Sequence, residues 1–164
     1  IQVNQGRTGW VYDGDAQTLK DQTGQQIDDY IEGSEIDIDR ILRADPDDPS
    51  RKIRFAGRGE LRPGERADII AIEIAPGRTV TIWLDRTTYL PISLTREKTV
   101  NGMLTRLEQR FFQYVSYDGT LFPNIVDTFE DGVQTSRVNY QLISPNRSID
   151  EQVFAKPAGI KSIR

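Results

Sequence analysis

The chain has 164 residues, 28% of them charged, with a formal charge of −4. It contains neither Cys nor His, which excludes a disulfide framework, a thiolate or histidine metal site, a thiol nucleophile and an imidazole acid–base catalyst. The acidic balance argues against a general nucleic-acid binder, and every apolar run is far too short for a transmembrane segment.

Ile1 to Tyr12 reads as a hairpin: Ile1 and Val3 alternate with polar residues, Asn4-Gln5-Gly6 is able to turn, and Trp10-Val11-Tyr12 follows. Asp13-Gly14-Asp15 turns again, and Ala16–Leu19 is short enough for one more strand. Gln22–Ala44 is the helical region, because Ile27, Tyr30, Ile31, Ile38, Ile41 and Leu42 fall on one face. Gly33 interrupts that pattern, and Ser34 with Asp37 resembles a capping box, so two short helices joined at Gly33-Ser34 are expected. Asp45-Pro46-Asp47-Asp48-Pro49 ends them, since Pro cannot continue a helix.

From Lys52 onward strands alternate with strong turn signals. Ile53 and Phe55 begin the first, and Arg62-Pro63-Gly64-Glu65 turns. Ile70, Ile72 and Ile74 alternate in the next, Pro76-Gly77 turns, and Val80, Ile82 and Leu84 follow. After a turn over Asp85 to Thr88, Leu90, Ile92 and Leu94 share a face. Asn101-Gly102 is a hairpin signal. Leu104–Tyr117 is one long strand with an expected bulge, because Phe111, Phe112 and Tyr114 cannot all share a face. Asp118-Gly119 and Glu130-Asp131-Gly132 bound a strand at Ile125–Phe129, and Val133–Ile143 is the last strand. In the irregular tail, Ile149, Val153 and Phe154 are expected to dock. The fold class is therefore α+β, with an antiparallel meander that is apolar on one face and covered there by the helices.

The motifs resemble those of the LolA-like family of bacterial envelope proteins, described as outer-membrane lipoprotein-sorting or carrier proteins. Ile82-Trp83-Leu84-Asp85 followed by Leu90-Pro91-Ile92 is similar to its strand–Asp–turn–Leu-Pro-Val pattern. Phe111, Tyr114, Asp118-Gly119 and Phe122-Pro123 resemble its F..Y...DG..FP segment. Asp131-Gly132, Asn146, Ile149-Asp150, Phe154 and Pro157 match its closing pattern, and Gly9-Trp10 also fits. The resemblance implies a half-barrel with short helices on its concave face, spanning residues 1–164 as one domain. It also implies a helix and further strands before Ile1, without which the edge at Ile1–Val3 stands open to self-association.

The carboxylates Asp13/Asp15 and Asp45/Asp47/Asp48 sit on turn signals without calcium-loop spacing, and Asp85 and Pro91 bracket a turn. Gly57-Arg58-Gly59 has no helix after it for a phosphate loop. Arg51, Lys52, Arg54, Arg58 and Arg62 form a basic stretch that either touches anionic headgroups or decorates a wet strand. The aromatic set Trp10, Trp83, Phe111, Phe112 and Tyr114 is either core or the lining of an apolar cavity.

No cofactor or metal is expected, and no catalytic residue. The resemblance implies a non-enzymatic periplasmic protein, its signal peptide outside this chain, that takes lipid or lipoprotein acyl chains into an apolar cleft. The expected lining is Ile27, Ile31, Ile38 and Ile41 from the helices. From the sheet it is Ile70, Ile72, Ile74, Val80, Ile82, Leu84, Ile92, Leu94 and Phe111. The alternative is a protein–protein interaction module or envelope-stress sensor of the same fold, with envelope proteins as partners and a filled core.

Overall fold

Two-residue turns carrying Gly, among them Pro76-Gly77, Asp118-Gly119 and Asp131-Gly132, close several hairpins of this chain. The computed structural model describes residues 1–158 apart from Pro46, Ser50 and Asn101, together with all side chains in that range but those of Glu35 and Val100. The expected roles of Pro46 in ending the helices and of Asn101 in a hairpin lie outside the described residues. The chain divides into two compact units: Ile1–Arg43 with the tail from Arg147, and Ala44–Asn146.

In the first unit, β1 (Gln2–Gln5), β2 (Thr8–Asp13) and β3 (Thr18–Asp21) form an antiparallel sheet in that order, so β1 is an edge strand. Val3 pairs with Trp10 and Tyr12 with Leu19, which puts all four on one face. Val3, Trp10 and Leu19 are the buried core of this sheet, and Tyr12 packs against them. Gly9 is needed beside them, because a Cβ there would run into the Gln22 side chain and come 2.7 Å from the Val3 carbonyl oxygen.

Helix α1 (Gly24–Glu35) starts at a capping box the sequence reading did not identify. The Gln26 backbone N–H donates to Thr23 Oγ1 at 3.3 Å, and the Thr23 N–H donates to Gln26 Oε1 at 2.9 Å. The expected break at Gly33-Ser34 does not occur: both residues stay in α1, and Ser34 Oγ donates to the Ile31 carbonyl. The break lies at Ile36-Asp37, and Asp37 accepts the Asp39 N–H at the start of α2 (Ile38–Arg43). Ile27 and Ile41 are buried and Ile31 and Ile38 half-buried. Tyr30 and Leu42, expected on the same face, are exposed at 48% and 56%. In the tail, Asp150 caps a 3-10 turn at Glu151–Phe154, and Lys156 reaches Asp21 at 2.6 Å. Ile149, Val153 and Phe154 are exposed there, contrary to the docking expected of them.

The second unit is a seven-stranded antiparallel meander. Its strands are β4 (Lys52–Glu60), β5 (Arg66–Ala75), β6 (Arg78–Asp85), β7 (Pro91–Val100), β8 (Met103–Tyr117), β9 (Thr120–Glu130) and β10 (Val133–Asn139). Each pairs with its neighbour in sequence, leaving β4 and β10 at the edges. Asp118-Gly119 and Asp131-Gly132 have φ of 50°, 80°, 47° and 82°, so both are turns with two left-handed residues, matched to the twist of the strands they join. β10 ends at Asn139, four residues short of the expected Ile143.

The β8–β9 register keeps one offset from Leu107↔Glu130 to Tyr117↔Thr120, with Gln113 left out of the pairing, so the inserted residue expected in β8 is absent. Gln113 instead takes φ 52° between Phe112 and Tyr114. One left-handed residue thus replaces the inserted one as the local irregularity.

Candidate functional site

Register decides which residues share a face, because directly paired residues point the same way. Ile70 pairs with Ile82 and Ile82 with Leu94; Ile72 pairs with Val80. Asp68 pairs with Leu84, which keeps Leu84 on this same apolar face. Ile72, Val80, Ile82 and Leu94 are at most 6% exposed, and Ile70, Ile74 and Leu84 are half-buried. Ile74 lies where the β5–β6 register shifts and Ile92 where the β6–β7 register shifts, so neither has a direct partner in those ladders. Phe111 is buried and pairs with Val126.

The apolar rows continue onto the edge strand. Phe55 pairs with Ile70 and Ile53 with Ile72. Both are exposed, Phe55 at 64% and Ile53 at 47%. Sequence reading gave these two to a strand but not to the site. Their signal was the register with β5, which a lone sequence does not contain.

The opposite face is rich in Thr, Arg, Glu and Gln. It is substantially buried: Ala67 and Ser93 have no exposed surface, and Thr95, Glu108 and Asp127 are at most 9% exposed. Trp83 covers Gly59 here, leaving so little room that a Cβ at Gly59 would lie 2.8 Å from Trp83 Cζ3.

A broad open groove of about 720 Å³ runs over this second face, with Arg62, Arg110, Phe112, Tyr114, Asp127 and Arg137 among its lining. Of the expected ligand residues, only Ile92 and Phe111 reach it. Arg110 donates to Glu108 at 2.6 Å and stacks 4.2 Å from the Phe129 ring centre. Arg62 holds Glu65 with two bonds of 2.8 Å and lies 5.0 Å from the centre of Phe112. Arg137 forks onto Asp127 with two bonds of 2.6 Å. Tyr114 donates its hydroxyl to the Pro91 carbonyl oxygen at 2.7 Å.

These contacts fix the protonation states. The Arg137 guanidinium holds the Asp127 carboxyl below the usual carboxylate range. The Thr88 backbone N–H, then its hydroxyl, does the same for Asp85, which also accepts from the Thr87 N–H. Burial pushes the Tyr114 phenol up. Each of these shifts moves its group away from neutrality, the opposite of what a general acid or base at pH 7 needs. Asp85 thus acts as the turn residue the sequence suggested. Among the described residues no group of three or more carboxylates is placed to hold a metal ion.

The aromatic residues have separate surroundings. Trp10 belongs to the small sheet's core and Trp83 covers Gly59. Phe111, though buried, lines the groove together with Phe112 and Tyr114. Among the described residues no helix is long and apolar enough to cross a membrane.

No protein-family model matches the chain, and no curated protein matches it. Its fold is similar to that of a solved structure from Vibrio parahaemolyticus, described as an outer membrane lipoprotein-sorting protein domain. The TM-score is 0.51 at 12% sequence identity. The match covers 90% of this chain and 63% of that one. The LolA-like character read from the motifs is therefore borne out at the level of the fold.

Proposed function

We propose that this chain is a non-enzymatic protein of the bacterial envelope, periplasmic in location, that binds lipid or the acyl chains of a lipoprotein on the apolar face of its seven-stranded sheet. One observation carries the reading: the apolar rows run from buried Ile82 and Leu94 through Ile70 and Ile72 to exposed Ile53 and Phe55. A face serving only as core has no need of large apolar side chains on its exposed edge strand, where they cost solubility and invite association. Acyl chains would gain about 25 cal/mol per Å² of apolar surface removed from water, less the cost of ordering them. The half-barrel curvature expected from the motifs belongs to this proposal. The lipoprotein-sorting description of the Vibrio domain supports it.

The rival is an interaction module or stress sensor with a filled core. It is favoured by the burial of Val80, Ile82 and Leu94, at most 2% exposed within the chain itself. Native mass spectrometry of the purified protein, with titration of a fluorescent fatty acid, separates the two. Co-purified lipid and saturable probe binding that Phe55→Ser weakens support the carrier. Absence of both, from protein with a normal thermal melt, leaves the interaction module.

A further inference from the structure

The exposed end of the apolar rows is also where the chain concentrates positive charge. Residues 51 to 62 hold five cations and one acid, net +4, in a chain whose formal charge is −4. Strand β4 alternates the two chemistries: Lys52, Ile53, Arg54 and Phe55 are successive and all exposed. Lys52 and Arg54 pair with Glu73 and Ala71, and Ile53 and Phe55 with Ile72 and Ile70. The cations therefore flank the apolar side chains from the other face of one edge strand. Arg58 follows on the apolar side, opposite Asp68.

Of Lys52, Arg54 and Arg58, two already have carboxylate partners. Lys52 reaches Glu73 at 3.0 Å and Arg58 reaches Asp68 at 3.1 Å. Both pairs have outward cations, 76% and 66% exposed, over acids only 28% and 31% exposed. Pairs this exposed are weak and screened by salt, so they leave the ammonium and guanidinium free to take a stronger anion as well. A phosphate is such an anion, and Arg presents it with a planar fork of donors.

We infer that the β4 rim is a headgroup site for an anionic amphiphile: Lys52 and Arg54, on one face of the strand, hold a phosphate while Ile53 and Phe55 lead its chain onto the apolar rows. The inference rests on the acyl-binding reading and adds the headgroup chemistry to it.

The test compares two amphiphiles with one chain length, dodecyl phosphate and the uncharged dodecyl maltoside. Both are titrated below their micellar concentrations, with inorganic phosphate as a third ligand. The parent protein should bind dodecyl phosphate more tightly than the maltoside, by about fivefold for each cation engaged. Raising the salt concentration should narrow the gap. Lys52→Gln with Arg54→Gln should cut the preference about 25-fold while leaving maltoside binding unchanged, which also serves as the folding control. Equal affinity for the two amphiphiles overturns the headgroup site and leaves the acyl reading standing. Binding of neither overturns the acyl reading and this inference together. Inorganic phosphate bound as tightly as dodecyl phosphate overturns the amphiphile and leaves a plain phosphate site.

Discussion

Arg137 on the edge strand β10 closes on Asp127 of β9 through two bonds of 2.6 Å, and the two residues are direct partners in the sheet. The Asp127 side chain is 4% exposed against 53% for Arg137, so the arginine covers the carboxylate. Its guanidinium holds the Asp127 carboxyl below the usual range. A lowered carboxyl pKa gives stability that is present above the unfolded value, about 3.9 for Asp, and is lost as pH falls through the folded value. The thermal midpoint should therefore drop between pH 5 and pH 2. Asp127→Asn should show a smaller drop, alongside a lower midpoint at pH 7. Equal acid sensitivity in the variant would remove Asp127 from the account.

The Trp83 ring occupies the space where a side chain at Gly59 would start. Gly59→Ala should push the ring aside and cost about 1–3 kcal/mol through overpacking. Denaturant titration followed by tryptophan emission reads both the stability and the ring's surroundings. An unchanged midpoint would mean that the ring relocates freely.

Thr23 and Gln26 satisfy each other's backbone N–H at the start of α1. Thr23→Ala should cost about 1 kcal/mol. Hydrogen exchange should show the loss first in the amides of residues 24 to 27, and uniform protection there would count against the cap.

Ile82 and Phe55 sit on one face with Ile70 between them, but differ in exposure, 2% against 64%. Ile82→Phe should cost about 1–3 kcal/mol as an overpacked core residue. Phe55→Ser should leave the melt within about 0.5 kcal/mol, as for other surface changes, and weaken the fatty-acid probe. If Ile82→Phe melts like the parent and abolishes probe binding, the space beside Ile82 is open rather than filled.

The meander was legible because its signals are local. Pro76-Gly77, Asp118-Gly119 and Asp131-Gly132 sit between runs of period-2 alternation, and each became a two-residue loop. The helix break was misread because Gly33 and Ser34 weaken a helix without ending it, and Ser34 bonds back to Ile31 inside α1. The apolar ladder of Ile70, Ile82 and Leu94 followed from alternation alone. Its continuation to Phe55 did not, since that needs the β4–β5 register, with its shift between Phe55 and Gly57. The groove was missed for a related reason. Glu108, Arg110, Asp127 and Arg137 each look like solvent residues, and only strand pairing turns Asp127 and Arg137 into a covered ion pair.

The order β4 to β10 in space repeats the order along the chain. No strand waits for a distant partner, and the β5–β6, β8–β9 and β9–β10 hairpins each close over two residues. Closing such short loops costs little chain entropy, and it is the sequence separation of contacts that sets folding speed. The sheet should therefore assemble by zipping outward from its tight turns, near the fast end of the range for β-rich domains. A chain that emerges N-terminus first would let each strand find its neighbour in the order it appears. The exposed apolar edge at β4 would meet its β5 partner within about twenty residues of chain, which shortens the time in which it can pair wrongly.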